Sequence, residues 1–288
     1  MATVNGEAAA PALERPAEVL RIRPTSGWQA LNLKELWRYR ELLWFLAVRD
    51  IKLRYKQTVL GVTWALIQPL FTMLVFSVFF GLLAKMPSDG LPYPIFVLAA
   101  LLPWQLFSYA LTQSSNSVVA EQRLITKVYF PRLIIPLASV LSGLVDFAIA
   151  FVLLLGMMAW YGAAPSWGIL AVPLLVLFAV ATALAVGLWL AALNVKYRDF
   201  RHTIPFLTQF WMFLTPVAYP SSLVPERWRA LYGLNPMAGV VEGFRWALLG
   251  QADGPGAMLL VSVASVAVLL ISGLYFFRRT ERSFADVI

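Results

Sequence analysis

The sequence predicts an all-α polytopic membrane protein. It has six transmembrane helices, an N-terminal amphipathic interfacial helix, short re-entrant helices between the fifth and sixth spans, and both termini cytoplasmic. Three observations predict it. Hydrophobic residues make up 60% of the 288 and charged residues only 13%, where soluble domains carry roughly a quarter charged. The apolar residues are gathered in runs long enough to cross a bilayer, which takes ~20 residues of helix. Lys and Arg fall in alternate connections between those runs.

Residues 1–30 contain Pro11, Pro16 and Pro24 and lack the apolar centre of a cleavable signal peptide, so they read as a mobile leader. Residues 31–58 read as one amphipathic helix. On a 3.6-residue period Lys34, Arg38, Glu41, Arg49, Lys52 and Lys56 share one side. Leu33, Leu36, Trp37, Trp44, Ala47, Val48, Ile51 and Tyr55 fall near another. Its longest apolar run, Leu42–Val48, is seven residues, far short of a span. The pattern suits an interfacial helix with its cations among anionic headgroups, and a solvated juxtamembrane helix equally well.

Residues 59–277 form the transmembrane domain. Spans are expected at about 63–84, 94–119, 134–160, 169–193, 203–219 and 257–277. The fifth is only just long enough and is interrupted by Pro205 and Pro216. Between the fifth and sixth, residues 220–256 are too apolar for a free loop and too broken to span. Asn235-Pro236 reads as a cap followed by a first-turn proline, and Glu242 and Arg245 are three apart, able to pair on one face. Two short half-buried helices dipping back into the membrane fit better than a surface loop. Residues 278–288 are a tail. Placing the leader, the helix at 31–58, the loops 121–132 and 194–202 and the tail in the cytoplasm puts 19 of the 23 Lys and Arg there, leaving Lys85, Arg227, Arg229 and Arg245 opposite. The positive-inside rule therefore sets both ends cytoplasmic.

No cysteine is present and His202 is the one histidine, so thiolate chemistry is excluded, multi-histidine metal sites have little scope, and no metal site is expected. No Gly-Lys-Ser/Thr phosphate loop occurs. Asp146 is the one acid at mid-span; it costs roughly 2.5–3.5 kcal/mol there and needs a polar partner or a function. Ser139, Ser142 or a neighbouring helix are its candidate partners. The rings of Trp64, Trp104, Phe107, Tyr109 and Trp211 lie within spans and could be stacking platforms for sugars, although packing alone also accounts for each. In the loop 121–132, Leu124, Ile125, Tyr129 and Phe130 are apolar side chains expected to be exposed. They fit either a pocket in a partner or the chain's own bundle.

The runs 43-LWFLAVRDIKLRYKQTVLGVTWALIQPL-70, 121-EQRLITKVYFPRLIIPLAS-139, 194-NVKYRDFRH-202 and 234-LNPMAGVVEGFRWALL-249 resemble type-2 ABC exporter permeases of the polysaccharide and polyol-phosphate branch. That branch includes the O-antigen, capsule and teichoic-acid permeases. The likeness covers roughly residues 30 to 280. It implies a homodimer in the cytoplasmic (inner) membrane with two ATPase subunits, exporting a lipid-linked polysaccharide. ATP and Mg would be bound by the partner ATPase, with no cofactor in this chain. By resemblance, Glu121, Arg123, Leu124, Lys127, Tyr129, Phe130 and Pro131 belong to an ATPase-coupling loop. The helix at 31–58 becomes a gate helix, whose Arg38, Arg40, Arg49, Lys52, Arg54 and Lys56 would meet the lipid diphosphate through charge-assisted bonds. Asn235, Pro236, Glu242 and Arg245 lie in the re-entrant segment.

Two other classes fit the composition less well. A stand-alone or proton-coupled lipid-linked-sugar flippase is disfavoured by the single deep acid. A membrane-embedded glycolipid-modifying enzyme is disfavoured because no clustered acids or triad elements are apparent. The sequence also leaves the glycan unnamed.

Overall fold

The computed structural model describes residues 33–56, 61–250, 254 and 256–284. The leader 1–30 lies outside the described residues, as do 57–60 and the last four of the tail. The described chain is helical throughout, with a short helix α1 (Leu33–Arg38) followed by α2 (Arg40–Lys56). Backbone bonds from Tyr39 N to Glu35 O and from Leu43 N to Tyr39 O bridge the junction. The first span is α3 (Thr63–Phe76), which widens into a π-helix at Ser77–Leu83. The second is α4 (Tyr93–Ala120). A six-residue helix α5 (Gln122–Lys127) leads to α6 (Ile134–Trp160), and a 3-10 turn (Trp167–Ala171) to α7 (Val172–Lys196). Then come α8 (Phe200–Leu214), α9 (Glu226–Tyr232), α10 (Pro236–Leu249) and α11 (Gly256–Glu281).

Five segments among the described residues are long and apolar enough to cross a membrane: Thr63–Leu83, Tyr93–Ala120, Ile134–Trp160, Trp167–Lys196 and Gly256–Glu281. The fifth sequence-predicted span differs. Its helix α8 has 15 residues, about 22 Å at the α-helical rise, against a hydrocarbon core of ≈ 30 Å. It stops at Leu214 because Thr215 precedes Pro216, and a residue before proline is forced from helical into extended backbone; Thr215 sits at φ −103°, ψ 140°. The chain still traverses the bundle here. Phe277, near the end of α11, packs in one cluster with Leu46 of α2. The leg from α7 to α11 is therefore completed by α8 with the turn that follows it.

Helix α4 is the central post, with 18 of its 28 residues buried, against 5 of 26 in α11. It is covered by α3, α6, α7, α8 and α10. Its approach to α7 is close enough that a Cβ on Gly187 would stand 2.1 Å from Ser114 Oγ. Small residues at such crossings let two backbones meet where no hydrophobic effect drives helices together. Asn194 of α7 adds cross-links to Ser115 O (3.1 Å) and Asn116 Oδ1 (3.0 Å).

The segment between α8 and α11 carries the two short helices expected, unequally covered by protein: α9 has no buried residue, whereas α10 has 12 of 14 buried. The difference follows composition. Helix α9 carries Glu226, Arg227 and Arg229 in seven residues, while α10 offers Gly239 and Gly243 to its neighbours α11 and α7.

Candidate functional site

At the end of the bundle that carries α5, three elements converge. Glu121 joins α4 to α5 and accepts a hydrogen bond from Arg49 of α2, whose Nη2 also meets its neighbour Asp50 at 2.8 Å. The Glu121 bond raises the Arg49 pKa above its ordinary value against the opposing effect of burial, so the guanidinium stays charged. Helix α5 lies with Ile125 buried, and Phe130 and Pro131 are buried after it. Ile125 and Phe130 join Leu46, Ala47, Val118 and Leu133 in one apolar cluster. The expected exposure of Ile125 and Phe130 is therefore corrected: a loop this short folds them onto its own bundle. Leu124 is half-buried, Glu121 likewise, and Arg123, Lys127 and Tyr129 remain exposed. The loop is pinned to α11, where Glu281 accepts from the Arg132 backbone N–H at 3.0 Å and pairs with Arg278 at 3.2 Å.

The cations of α2 divide into two groups. Arg38, Arg40, Lys52 and Lys56 are exposed, with Arg40 lying 5.4 Å over the Trp37 ring. Arg49 and Arg54 turn inward. Arg54 forms an ion pair with Asp146 of α6, Tyr55 donates to the same carboxylate, and the Arg54 guanidinium lies 4.3 Å over the Tyr109 ring of α4. The Tyr109 hydroxyl in turn meets Ser142 Oγ at 2.8 Å. Asp146 lies twelve residues after Ile134, and Tyr109 twelve before Glu121. At 1.5 Å per residue the pair therefore sits about 18 Å along both helices from the α5 end. So α2 follows α6 inward, and the acid singled out at mid-span has its partner on that helix rather than on Ser139 or Ser142.

A cavity of ≈ 500 Å³ opens beside this pair, between α2, α3, α4 and α6. Trp64 and Tyr109 line it, together with Arg54, Asp146, Gln68 and Gln105. Trp104 and Phe107, by contrast, are buried in the core at a ring separation of 5.3 Å, and Phe107 meets Trp211 edge-on at 5.0 Å. The structure thus brings two of the five selected rings to the cavity and leaves three packed together. Gln68 and Gln105 were missed in the sequence. The available signal was a carboxamide inside an apolar span, which needs a partner or a wet surface.

At the opposite end, Asn235 caps α10 as its sequence implies. Its Oδ1 accepts from Met237 N at 3.1 Å and from Trp211 Nε1 at 2.8 Å, while Nδ2 donates to Leu214 O at 2.9 Å. Pro236 takes the first helical position, and Gly250 closes the helix at φ 66°, a left-handed conformation that costs glycine nothing. Arg245 is 0% exposed. It pairs with Glu242 at 3.0 Å, donates to Val217 O at 2.9 Å and lies 3.7 Å over the Phe96 ring. That arrangement pairs the charge and packs the guanidinium face, leaving Nε without a partner, and reads as a brace.

The profile of the ABC-2 type transporter family matches residues 41–249. A protein of Myxococcus xanthus named O-antigen export system permease protein RfbA is 34% identical over 86% of this chain and 96% of its own length. A Klebsiella pneumoniae protein of the same name is 26% identical over 86% and 95%. The polysialic acid transport protein KpsM of Escherichia coli is 23% identical over 83% and 93%. The matched profile covers well over half of the sequence, and the chain belongs to the ABC-2 type transporter family.

Proposed function

We propose that the chain is the transmembrane permease subunit of an ABC exporter that moves a lipid-linked, O-antigen-like polysaccharide across the cytoplasmic membrane. The observation that carries this reading is the likeness to an O-antigen export permease over nearly the full length of both proteins. Two copies of the chain pair with two ATPase subunits, and both termini face the cytoplasm with those subunits. ATP and Mg bind to the partners, and this chain converts their closure into movement.

The loop Glu121–Pro131 receives that movement. Its surface contact falls to Arg123, Lys127 and Tyr129, which stand exposed. Leu124, Phe130 and Pro131 hold the loop's shape from behind. Because Glu121 is bonded to Arg49, displacement of the loop is passed to α2 within one side-chain contact. The exposed Arg38, Arg40, Lys52 and Lys56 attract the diphosphate of the lipid carrier, as strongly hydrated or forked cations do. Arg49 and Arg54, already paired with carboxylates, serve as struts of α2.

The test is reconstitution. The chain purified with a phosphate-loop ATPase partner should form a complex that hydrolyses ATP in lipid and translocates a lipid-linked glycan only when ATP is supplied. Transport by the chain alone, with no ATPase present, would overturn the reading in favour of a stand-alone flippase.

A further inference from the structure

We propose that the cavity between α2, α3, α4 and α6 is a binding site for an uncharged pyranose ring, one sugar of the exported glycan. This deepens the permease reading and rests on it for the identity of the ligand's source. The volume, about 500 Å³, lies within the range that small-molecule sites occupy, ≈ 300–1,000 Å³. Its chemistry selects the ligand class. Trp64, 53% exposed, and Tyr109 offer flat apolar faces, which suit the C–H face of a pyranose. Gln68 and Gln105 line the same cavity, and neither carboxamide has a side-chain hydrogen bond among the described residues. Each offers an acceptor oxygen and two N–H donors, the pairing that vicinal hydroxyls require.

The charge on the cavity wall argues against a phosphate. Arg54 is the cation lining it, and its guanidinium is already committed to Asp146 and to the Tyr109 face. A phosphate entering here would have to displace a carboxylate held by both Arg54 and Tyr55 and then sit beside it. Like charges at that range repel, whereas a neutral polyhydroxyl ring has dipoles to offer both partners. The diphosphate is thereby left to the exposed cations of α2, and the site distinguishes sugar from linker.

The chain has no cysteine, so Ala65→Cys on the cavity wall gives a single reporter. The full-length permease in nanodiscs is reacted with a maleimide in the presence of hexadecyl maltoside or hexadecyl phosphate, with Lys85→Cys as a reporter outside the cavity and a check on folding. At about four times the Kd, the maltoside should slow labelling of Ala65→Cys about fivefold, the factor 1 + [L]/Kd, while the phosphate leaves it unchanged. Adding Trp64→Ala should abolish the protection without altering Lys85→Cys. Adding Asp146→Asn, which releases Arg54, should make the phosphate amphiphile protective. Equal protection by both amphiphiles in the parent would mean that the cavity takes the alkyl tail, and absence of protection by the maltoside would mean that it takes no sugar; either overturns the inference. Because no ATPase is present in this assay, a failure of ATP-driven export leaves its result standing, and working export without protection removes the site alone.

Discussion

Asp146 is the residue whose isolation in the sequence said most. A lone acid at mid-span demanded a partner, and the structure supplies Arg54 and Tyr55 from a helix ninety residues earlier. The demand was legible and the partner was not, because a helical wheel compares residues within one helix only. The pair is 34% and 22% exposed on its side chains, so breaking it costs less than the ~3–5 kcal/mol of a fully buried pair. Asp146→Asn should lower apparent stability by roughly 1–2 kcal/mol, read as a reduced thermal midpoint in detergent, and Arg54→Gln added to it should cost little more. Additive losses from the two changes would show that they do not act as a pair. Arg245 gives the sharper contrast. Its side chain is wholly buried, and Arg245→Ala takes the cation from Glu242 and the donors from Tyr219 O and Val217 O. Apparent stability should fall by about 3–5 kcal/mol, enough to abolish recovery of a monodisperse complex.

Among the elements, α10 was the most legible and α2 the least. Asn235, Pro236 and Gly250 announce a start and a stop by their own backbone chemistry, which neighbours cannot change. Asn235→Ala should cost more than the ~1 kcal/mol of a lost cap, since Trp211 and Leu214 lose partners too. Asn235→Asp should recover the cap and the Trp211 bond but not the bonds that the amide nitrogen donates to Leu214 O and Thr215 Oγ1, so thermal midpoints should fall from the parent to Asn235→Asp to Asn235→Ala. Helix α2 defeats periodicity because it has three surroundings instead of two. Leu46 and Ala47 face the bundle, Trp37 and Trp44 are exposed, and Arg49 shares a wheel face with Lys52 yet turns the other way. If Arg49 transmits loop movement, Arg49→Glu should uncouple export from ATP hydrolysis, reducing transport per ATP tenfold or so, a change of about 1.4 kcal/mol in coupling. Combining it with Glu121→Arg should restore much of the ratio. Failure of the swap to rescue, with the complex intact, would assign the pair a purely structural role.

At the scale of the molecule, the apolar runs announced the long helices, although one of the six runs forms no full-length helix. Five segments reach span length, and α8 falls short at Leu214. Its mate in the traverse is irregular chain that α10 and Asn235 shelter, which no hydropathy window detects. Single cysteines at Lys34 and Ser283 should therefore be labelled from the same side of sealed vesicles, and one at Lys85 from the other. Labelling of Lys34→Cys and Ser283→Cys from opposite sides would mean that α8 fails to complete its passage. The central position of α4 has a further consequence, for biosynthesis. This helix is made second, and most of what buries it comes later: Asn194 follows Ser115 by 79 residues, some 4–16 s at ~5–20 residues per second. Through that interval α4 must reside in lipid without the full length of α7 and without α10. Its polar stretch is built to wait, since Ser114 and Ser115 bond back to Leu111 O, Asn116 to Thr112 O and Ser117 to Ser114 O. The post around which the permease assembles is thus provisioned, in its own first turns of contact, to stand before there is anything to support.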